Sequence, residues 1–184
     1  LWTEWPEAYR NHDNSALELW EKEHKEELDL YIFEQYLFQL QWDTLKKYAR
    51  DKNIQIVGDI PIFVSHNSVD VWAHRTLFKL DSTGLPTVVS GVPPDIFSET
   101  GQLWGNTHYD WKSLKDDEYS WWFNRLERLF DQVHFVRLDH FLGFESAWEI
   151  PYTAPTAEIG EWVKGDAESF FSSFIERFKD APII

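Results

Sequence analysis

The chain has 184 residues, with 17 basic and 32 acidic side chains and a formal charge of −15. That balance excludes the basic face needed by nucleic acid or an anionic membrane, and no run approaches the roughly 18 apolar residues of a membrane span. There is no cysteine, which removes disulfides, thiol catalysis and thiolate zinc sites together.

No glycine or proline falls between Pro6 and Gly58, so the first third reads as helical. Ser15-Ala-Leu-Glu18 fits a capping box. Leu30, Phe33, Leu37, Leu40 and Tyr48 then recur at helical spacing to about Arg50 and mark a packing face. Ile54 to Phe63 follows as a short aliphatic strand ending near Asp59. Its near-continuous apolar character is that of a buried parallel strand, and Pro61 ends it. About eighty residues then separate Asp59 from Asp139, far more than the dozen that a crossover between parallel strands needs. Residues 64–116 therefore form an inserted loop or subdomain. It is rich in Gly and Pro yet carries Val88, Val89, Val92, Ile96, Phe97, Trp104, Tyr109 and Trp111, too many apolar side chains for a disordered linker.

Helical spacing returns at Tyr119, Trp122, Leu126, Leu129 and Phe130. The next strand, around Phe135-Val-Arg-Leu-Asp139, alternates: Val136 and Leu138 face one way, Arg137 and Asp139 the other. A guanidinium beside a carboxylate favours the ionised form. An ionised carboxylate at a strand end is what a covalent glycosidic nucleophile requires. From this stretch alone a structural ion pair is the commoner meaning. Gly143 and Gly160 mark the following chain as loop. Phe170, Phe171, Phe174, Ile175 and Phe178 give another helical stripe, and Ala181-Pro-Ile-Ile184 has the look of a further strand beginning. Alternating strands and helices mean an α/β fold with parallel strands. Carboxylates at two strand ends, beneath a long insertion, fit a (β/α) barrel, whose chemistry sits at the C-terminal strand ends.

Two compositional points stay open at this level. Aromatic residues make up 17% of the chain, 11 of them Trp. They serve equally as a large core or as platforms for the apolar faces of sugar rings. Among seven histidines, His66 and His74 are the nearest to a ligand pair, and their spacing gives little support for a metal.

Longer motifs narrow the reading. Gly58-Asp-Ile-Pro-Ile-Phe63, Asp70-Val-Trp-Ala73, Phe78-Lys-Leu-Asp81, Pro86 to Asp95, Phe97 to Asn106, Val136-Arg-Leu-Asp-His-Phe141, Gly143-Phe-Glu145 and Trp148-Glu-Ile-Pro151 resemble the 4-α-glucanotransferases, or amylomaltases. The resemblance covers residues from about 28 to 184. It implies a TIM-like (β/α)8 barrel, of which this chain would hold about strands three to five, with residues 64–116 inserted over the active site. It implies transfer of α-1,4-glucan segments between maltodextrins by a retaining double displacement, without metal or organic cofactor. Asp139 matches the nucleophile and Arg137 its neighbour. His140, Asp59, Asp95 and Trp104 match substrate-binding positions. The family's general acid/base, a Glu after the fifth strand, has no match in this chain. The chain therefore reads as a middle segment of the catalytic barrel, inactive by itself. Glu145, Glu149 and Glu99 are substitutes by residue type only. An α-glucan hydrolase on the same barrel and a non-catalytic glucan-binding module are the competing functions. Open barrel edges would favour self-association. The absence of a visible leader before Leu1 fits a cytoplasmic protein.

Overall fold

The computed structural model describes residues 1–184. Its centre is a parallel ladder. Strand β1 (Val57–Ile60) runs beside β4 (Phe135–Leu138), with Asp59 opposite Arg137 and Ile60 opposite Leu138. The chain end extends the ladder on the far side of β4: Ile183 bridges Val136 in parallel, and the Ile184 amide donates to the Val136 carbonyl at 2.9 Å. Two helices cross between these segments, α6 (Ser120–Gln132) before β4 and α7 (Ala167–Arg177) after it. This is the β-α-β order of a barrel arc.

The aromatic residues mostly build the core under that arc. Trp122, Leu126, Phe170 and Val136 are fully buried. Ring centroids lie 5.2 Å apart for Trp122 and Phe144, and 5.0 Å apart for Phe144 and Phe170. These tilted contacts are the packing that aromatic quadrupoles favour. The α7 stripe turns Phe170 and Phe174 inward as its spacing requires, but Ile175 points to water.

The N-terminal third is helical: α1 (Glu7–Arg10), α2 (Asn14–Glu23) and α3 (Lys25–Asp51). The cap of α2 is Asp13, not Ser15; its carboxylate accepts from the Ala16 amide at 2.8 Å. A charged acceptor suits the positive end of a helix better than a hydroxyl does. The expected packing face of α3 is a larger departure. Leu30, Phe33, Leu37, Leu40 and Tyr48 are all exposed, and only Ala49 of this helix is buried. A helix of 27 residues is about 40 Å long. Its C-terminal half alone reaches the rest of the chain, through Trp42 Nε1 to the Gln132 carbonyl and Lys46 Nζ to the Asp131 carbonyl. In consequence the chain presents 11843 Å² to solvent, against about 9,300 Å² for a compact protein of its mass.

Two short helices, α4 (Val69–Ala73) and α5 (Trp111–Asp116), occupy the segment between β1 and α6. So do β2 (Val88–Val92) and β3 (Gln102–Thr107). With β5 (Ser146–Pro151) and β6 (Glu161–Lys164) they make an antiparallel sheet of order β3-β2-β5-β6. The stretch between Gly143 and Gly160, expected as loop, thus supplies one whole strand and leads into another. Trp148, Ile150, Trp162 and Val163 are good strand formers on a pleated surface. Gly160 is there for close approach: a Cβ would lie 2.6 Å from Trp148 Nε1.

A polar seam runs under this sheet. Lys79 Nζ meets Glu149 Oε1 at 2.5 Å, and His108 Nδ1 stands 3.9 Å from the same oxygen. Burial, with Lys79 nearby, lowers the His108 pKa to about 4. The unfolded chain therefore binds a proton at this side chain below about 6.5 that the folded chain refuses until about 4. Stability that is full at neutral pH should be lost as pH falls through this window, by about 3 kcal/mol from this residue. Urea unfolding at pH 7 and pH 4.5 checks it: His108→Gln should flatten the loss. At Gly91 a Cβ would meet the Gln102 carbonyl oxygen at 2.1 Å. Gly91→Ala should cost roughly 1–3 kcal/mol, the usual range for overpacking, in the same assay.

Candidate active site

The site is assembled from the C-terminal ends of β1 and β4. Asp59 and Arg137 are direct neighbours across the ladder, so their side chains leave the sheet on the same side. Val136 and Leu138 are buried on the other side, and Arg137 is exposed. Arg137 Nε donates to Asp59 Oδ1 at 3.0 Å and Nη2 to Asp59 Oδ2 at 2.5 Å, a bidentate fork. The same Nη2 lies 3.1 Å from Asp139 Oδ1. Asp59 is the stronger partner, and the pull of its hydrogen bonds, with Asp139 adding, raises the Arg137 pKa above its ordinary value. One guanidinium therefore holds two carboxylates in place.

Beyond β4 the chain turns sharply. His140 adopts φ 49°, the left-handed region that side chains rarely occupy. The Asp139 amide is fixed by the Ile60 carbonyl at 3.0 Å, and the Gly143 amide returns to the His140 carbonyl at 2.9 Å. His140 is one of five non-glycine residues in this conformation, and the one that lies in a cleft. Burial lowers the His140 pKa, and the neighbouring Asp139 charge opposes that shift.

Asp139 and His140 form one wall of a cleft of about 200 Å³. Pro61, Ile62 and Phe63, which follow β1, form a second wall, and Trp104 and Asn106 of β3 form the third. The Trp104 ring stands edge-on to His140, centroids 5.0 Å apart. β3 reaches the cleft through an irregularity. Val89 pairs with Thr107 and Gly91 with Leu103, so Trp104-Gly105-Asn106 stand opposite the single residue Ser90. Gly105 takes φ +79°, which lets the chain bulge there. A bulge re-aims side chains, and this one accompanies the entry of Trp104 and Asn106 into the cleft.

Four of the six residues singled out from the sequence thus meet: Asp59, Arg137 and Asp139 in one ion-paired group, His140 beside Asp139. Trp104 faces them from the sheet. Asp95 does not line the cleft. Its carboxylate accepts from the Phe97 and Ser98 amides at 2.8 and 2.9 Å and closes a turn whose tip exposes Ile96 and Phe97. Asn106 and Phe63 were missed. A lone glycine inside a strand pattern is the available signal for a bulge, and Gly105 would have drawn attention to both of its neighbours.

Among the other acids named, Glu149 is committed to Lys79, and Glu145 and Glu99 lie exposed outside the cleft. His66 bonds the Gly84 carbonyl through Nε2 and packs on Trp2. No three His, Asp or Glu side chains gather as a metal set. A larger cavity of about 360 Å³ is lined by Trp5, Pro6, Tyr9, Leu17, Trp20 and Trp72, with the Tyr9 phenol its one titratable side chain and no carboxylate beside it. No helix is long and apolar enough to cross a membrane.

Comparison with known proteins bears on this site. A family model described as 4-alpha-glucanotransferase matches residues 1–184. The chain is 48% identical over 172 residues to the chloroplastic/amyloplastic 4-alpha-glucanotransferase of Arabidopsis thaliana, which covers 94% of this chain and 30% of that protein. It is 46% identical over 183 residues to the 4-alpha-glucanotransferase of Thermus thermophilus, covering 100% of this chain and 37% of the relative. The amylomaltase from Streptococcus agalactiae, solved in complex with acarbose, superposes with a TM-score of 0.94 at 39% identity, over 99% of this chain and 37% of that one. The chain thus spans about a third of the length of the curated relatives it matches.

The contact between His140 and Asp139 can be read by NMR titration. The His140 imidazole should titrate below the ordinary 6.5. Asp139→Asn removes the one charge that opposes the shift and should lower the value further.

Proposed function

The chain belongs to the 4-alpha-glucanotransferase family, and from that premise we propose that it carries the nucleophile half of a glucan-transferring active site. The observation that carries this reading is the pairing of Asp139 with a guanidinium already anchored on Asp59, at the edge of a cleft faced by an indole, an amide and an imidazole. Asp139 would attack the anomeric carbon of an α-1,4-glucan and form a glycosyl ester as the reducing-end segment leaves. The 4-hydroxyl of a second maltodextrin would then displace Asp139 and restore an α-linkage, which is net transfer with retention. Arg137 holds the carboxylate aimed. Trp104 offers an apolar face to a sugar ring, and Asn106 and His140 offer polar groups to its hydroxyls. A neutral imidazole both donates and accepts, which suits a hydroxyl.

We read residues 64–116 as a subdomain inserted over this cleft. The turn closed by Asp95, with Ile96 and Phe97 at its tip, is the cover that keeps water from the ester, as transfer demands. Asp95 then acts through the shape of that cover. A cytoplasmic location accords with the reading from sequence, while the Arabidopsis relative is named for plastids; fractionation of the source cells separates the two.

The double displacement also needs a general acid for the leaving oxygen. Asp139 is the only carboxylate lining the cleft, and Asp59 is held by Arg137. An activated donor bypasses that need, because fluoride leaves without a proton. The 184-residue chain incubated with α-maltotriosyl fluoride should gain one maltotriosyl unit on Asp139, seen by mass spectrometry of the peptide, and Asp139→Asn should gain none. The same chain should make no longer products from maltotriose. An adduct on another residue, or none, would sink the assignment of the nucleophile. A ladder of longer products would show that the chain supplies its own acid and would direct mutation to Glu145, Glu149 and Glu99.

A further inference from the structure

We infer that the part-buried Lys79–Glu149 pair, with His108, is a positioning device that sets the β3 bulge, and so Trp104 and Asn106, against Asp139 and His140. The functional part of this inference rests on the reading of the cleft as a glucan site.

Both members of the pair lie outside the cleft lining, yet each is one step from it. Glu149 is the β5 residue directly opposite Ser90 of β2, and Ser90 is the single residue that the bulge straddles. Glu149 therefore sits in line with Trp104-Gly105-Asn106 across the sheet, on the far side of Ser90. Its carboxylate is nearly buried, and Lys79 Nζ approaches at 2.5 Å from a segment outside the sheet. The Lys79 backbone grips β3 as well: its amide donates to the His108 carbonyl at 2.9 Å, just past the end of that strand. His108 completes the arrangement. Its Nε2 is 3.2 Å from the Trp148 carbonyl, and its ring packs edge-on to Phe63 with centroids 4.8 Å apart. Phe63 belongs to the cleft wall and stands 6.3 Å from the His140 ring. One residue, Lys79, thus ties β5 by charge to the end of β3 by backbone.

The physical chemistry favours a specifying role over a stabilising one. Desolvation consumes much of what a buried ion pair gains, so replacing both members by apolar groups of similar size is often neutral for stability. What an apolar pair lacks is direction. A charged pair with one short contact fixes the relative height of two segments, whereas methyl groups slide. A bulge needs that fixing more than a regular ladder does, because its residues have no ladder partners to hold them.

The test compares the 184-residue chain with Glu149→Gln and with the double variant Lys79→Met/Glu149→Leu. The direct readout needs no ligand: the nuclear Overhauser contact between the Trp104 indole and the His140 imidazole. The second readout is affinity for maltotetraose by titration calorimetry. The double variant should melt within a few degrees of the parent, lose the ring contact and bind at least tenfold more weakly. Glu149→Gln keeps the shape and one acceptor for Lys79, whose part-exposed ammonium retains access to water, and serves as the second variant where the double one fails to fold. It should weaken the contact and lower affinity severalfold. Lys79→Arg, which retains the charge, should restore both readouts toward the parent. A folded Glu149→Gln or double variant with the contact and the affinity intact overturns the inference and leaves the pair structural. Failure of the parent to bind maltotetraose would count against the glucan-site reading, and the ring contact would still decide the positioning role.

Discussion

One guanidinium shared by two strands organises the functional end of this molecule. Arg137 belongs to β4, but its fork is closed on Asp59 of β1, and only its remaining edge reaches Asp139. The parallel register makes this possible, because it sets Asp59 and Arg137 side by side. A slip of β1 by one residue would turn Asp59 to the buried face and bring Gly58 or Ile60 opposite Arg137 in its place. The aromatic core beneath, with Val136 and Leu138 pressed onto α6 and α7, penalises that slip. Hydrophobic packing chooses the register, the register makes the ion pair, and the ion pair orients the carboxylate. The charges add little to stability at their half-exposed positions; their value lies in orientation.

The antiparallel sheet obeys a different logic. Its strands come from both sides of β4, β2 and β3 from before it and β5 and β6 after it, so its formation draws together chain segments far apart in sequence. Its regular positions pack; its irregular position faces the cleft. The three-residue bulge at Trp104-Gly105-Asn106 breaks the ladder where a binding surface needs side chains turned aside from the pleat. Rigid support at one face and a released segment at the other is how a sheet can carry a site without losing its own hydrogen bonds.

Much of this was legible in the residues. Local signals found β1 and β4, α6 and α7 and the carboxylates at the strand ends, because alternation and helical spacing are short-range properties. Long motifs then pointed to the family. What could not be read has a common cause. The α2 cap moved to Asp13 because several capping groups compete within a few residues and geometry chooses among them. β5 and β6 were hidden by flanking glycines, of which Gly160 is demanded by the Trp148 indole lying over it. The primary loyalty of Arg137 to Asp59 depends on a contact between residues 78 positions apart, and no local pattern carries that. Glu149, an acid in a motif, looked like a catalytic candidate by type and is instead neutralised by a lysine 70 positions away.

The solvent-exposed apolar side chains of α3 reach into the thermodynamics of the 184-residue chain. Leu30, Tyr31, Ile32, Phe33, Tyr36 and Phe38 already meet water in the folded state. Unfolding therefore exposes less new apolar area than a chain of this length ordinarily hides, and the heat-capacity increment, which tracks that area, falls below the usual 12–15 cal/mol/K per residue or so. A smaller increment flattens the curve of stability against temperature. The dependence on denaturant, which scales with the same area, becomes shallower with it. In the 184-residue chain, which spans about a third of its relatives' length, an uncovered apolar helix thus flattens both dependences.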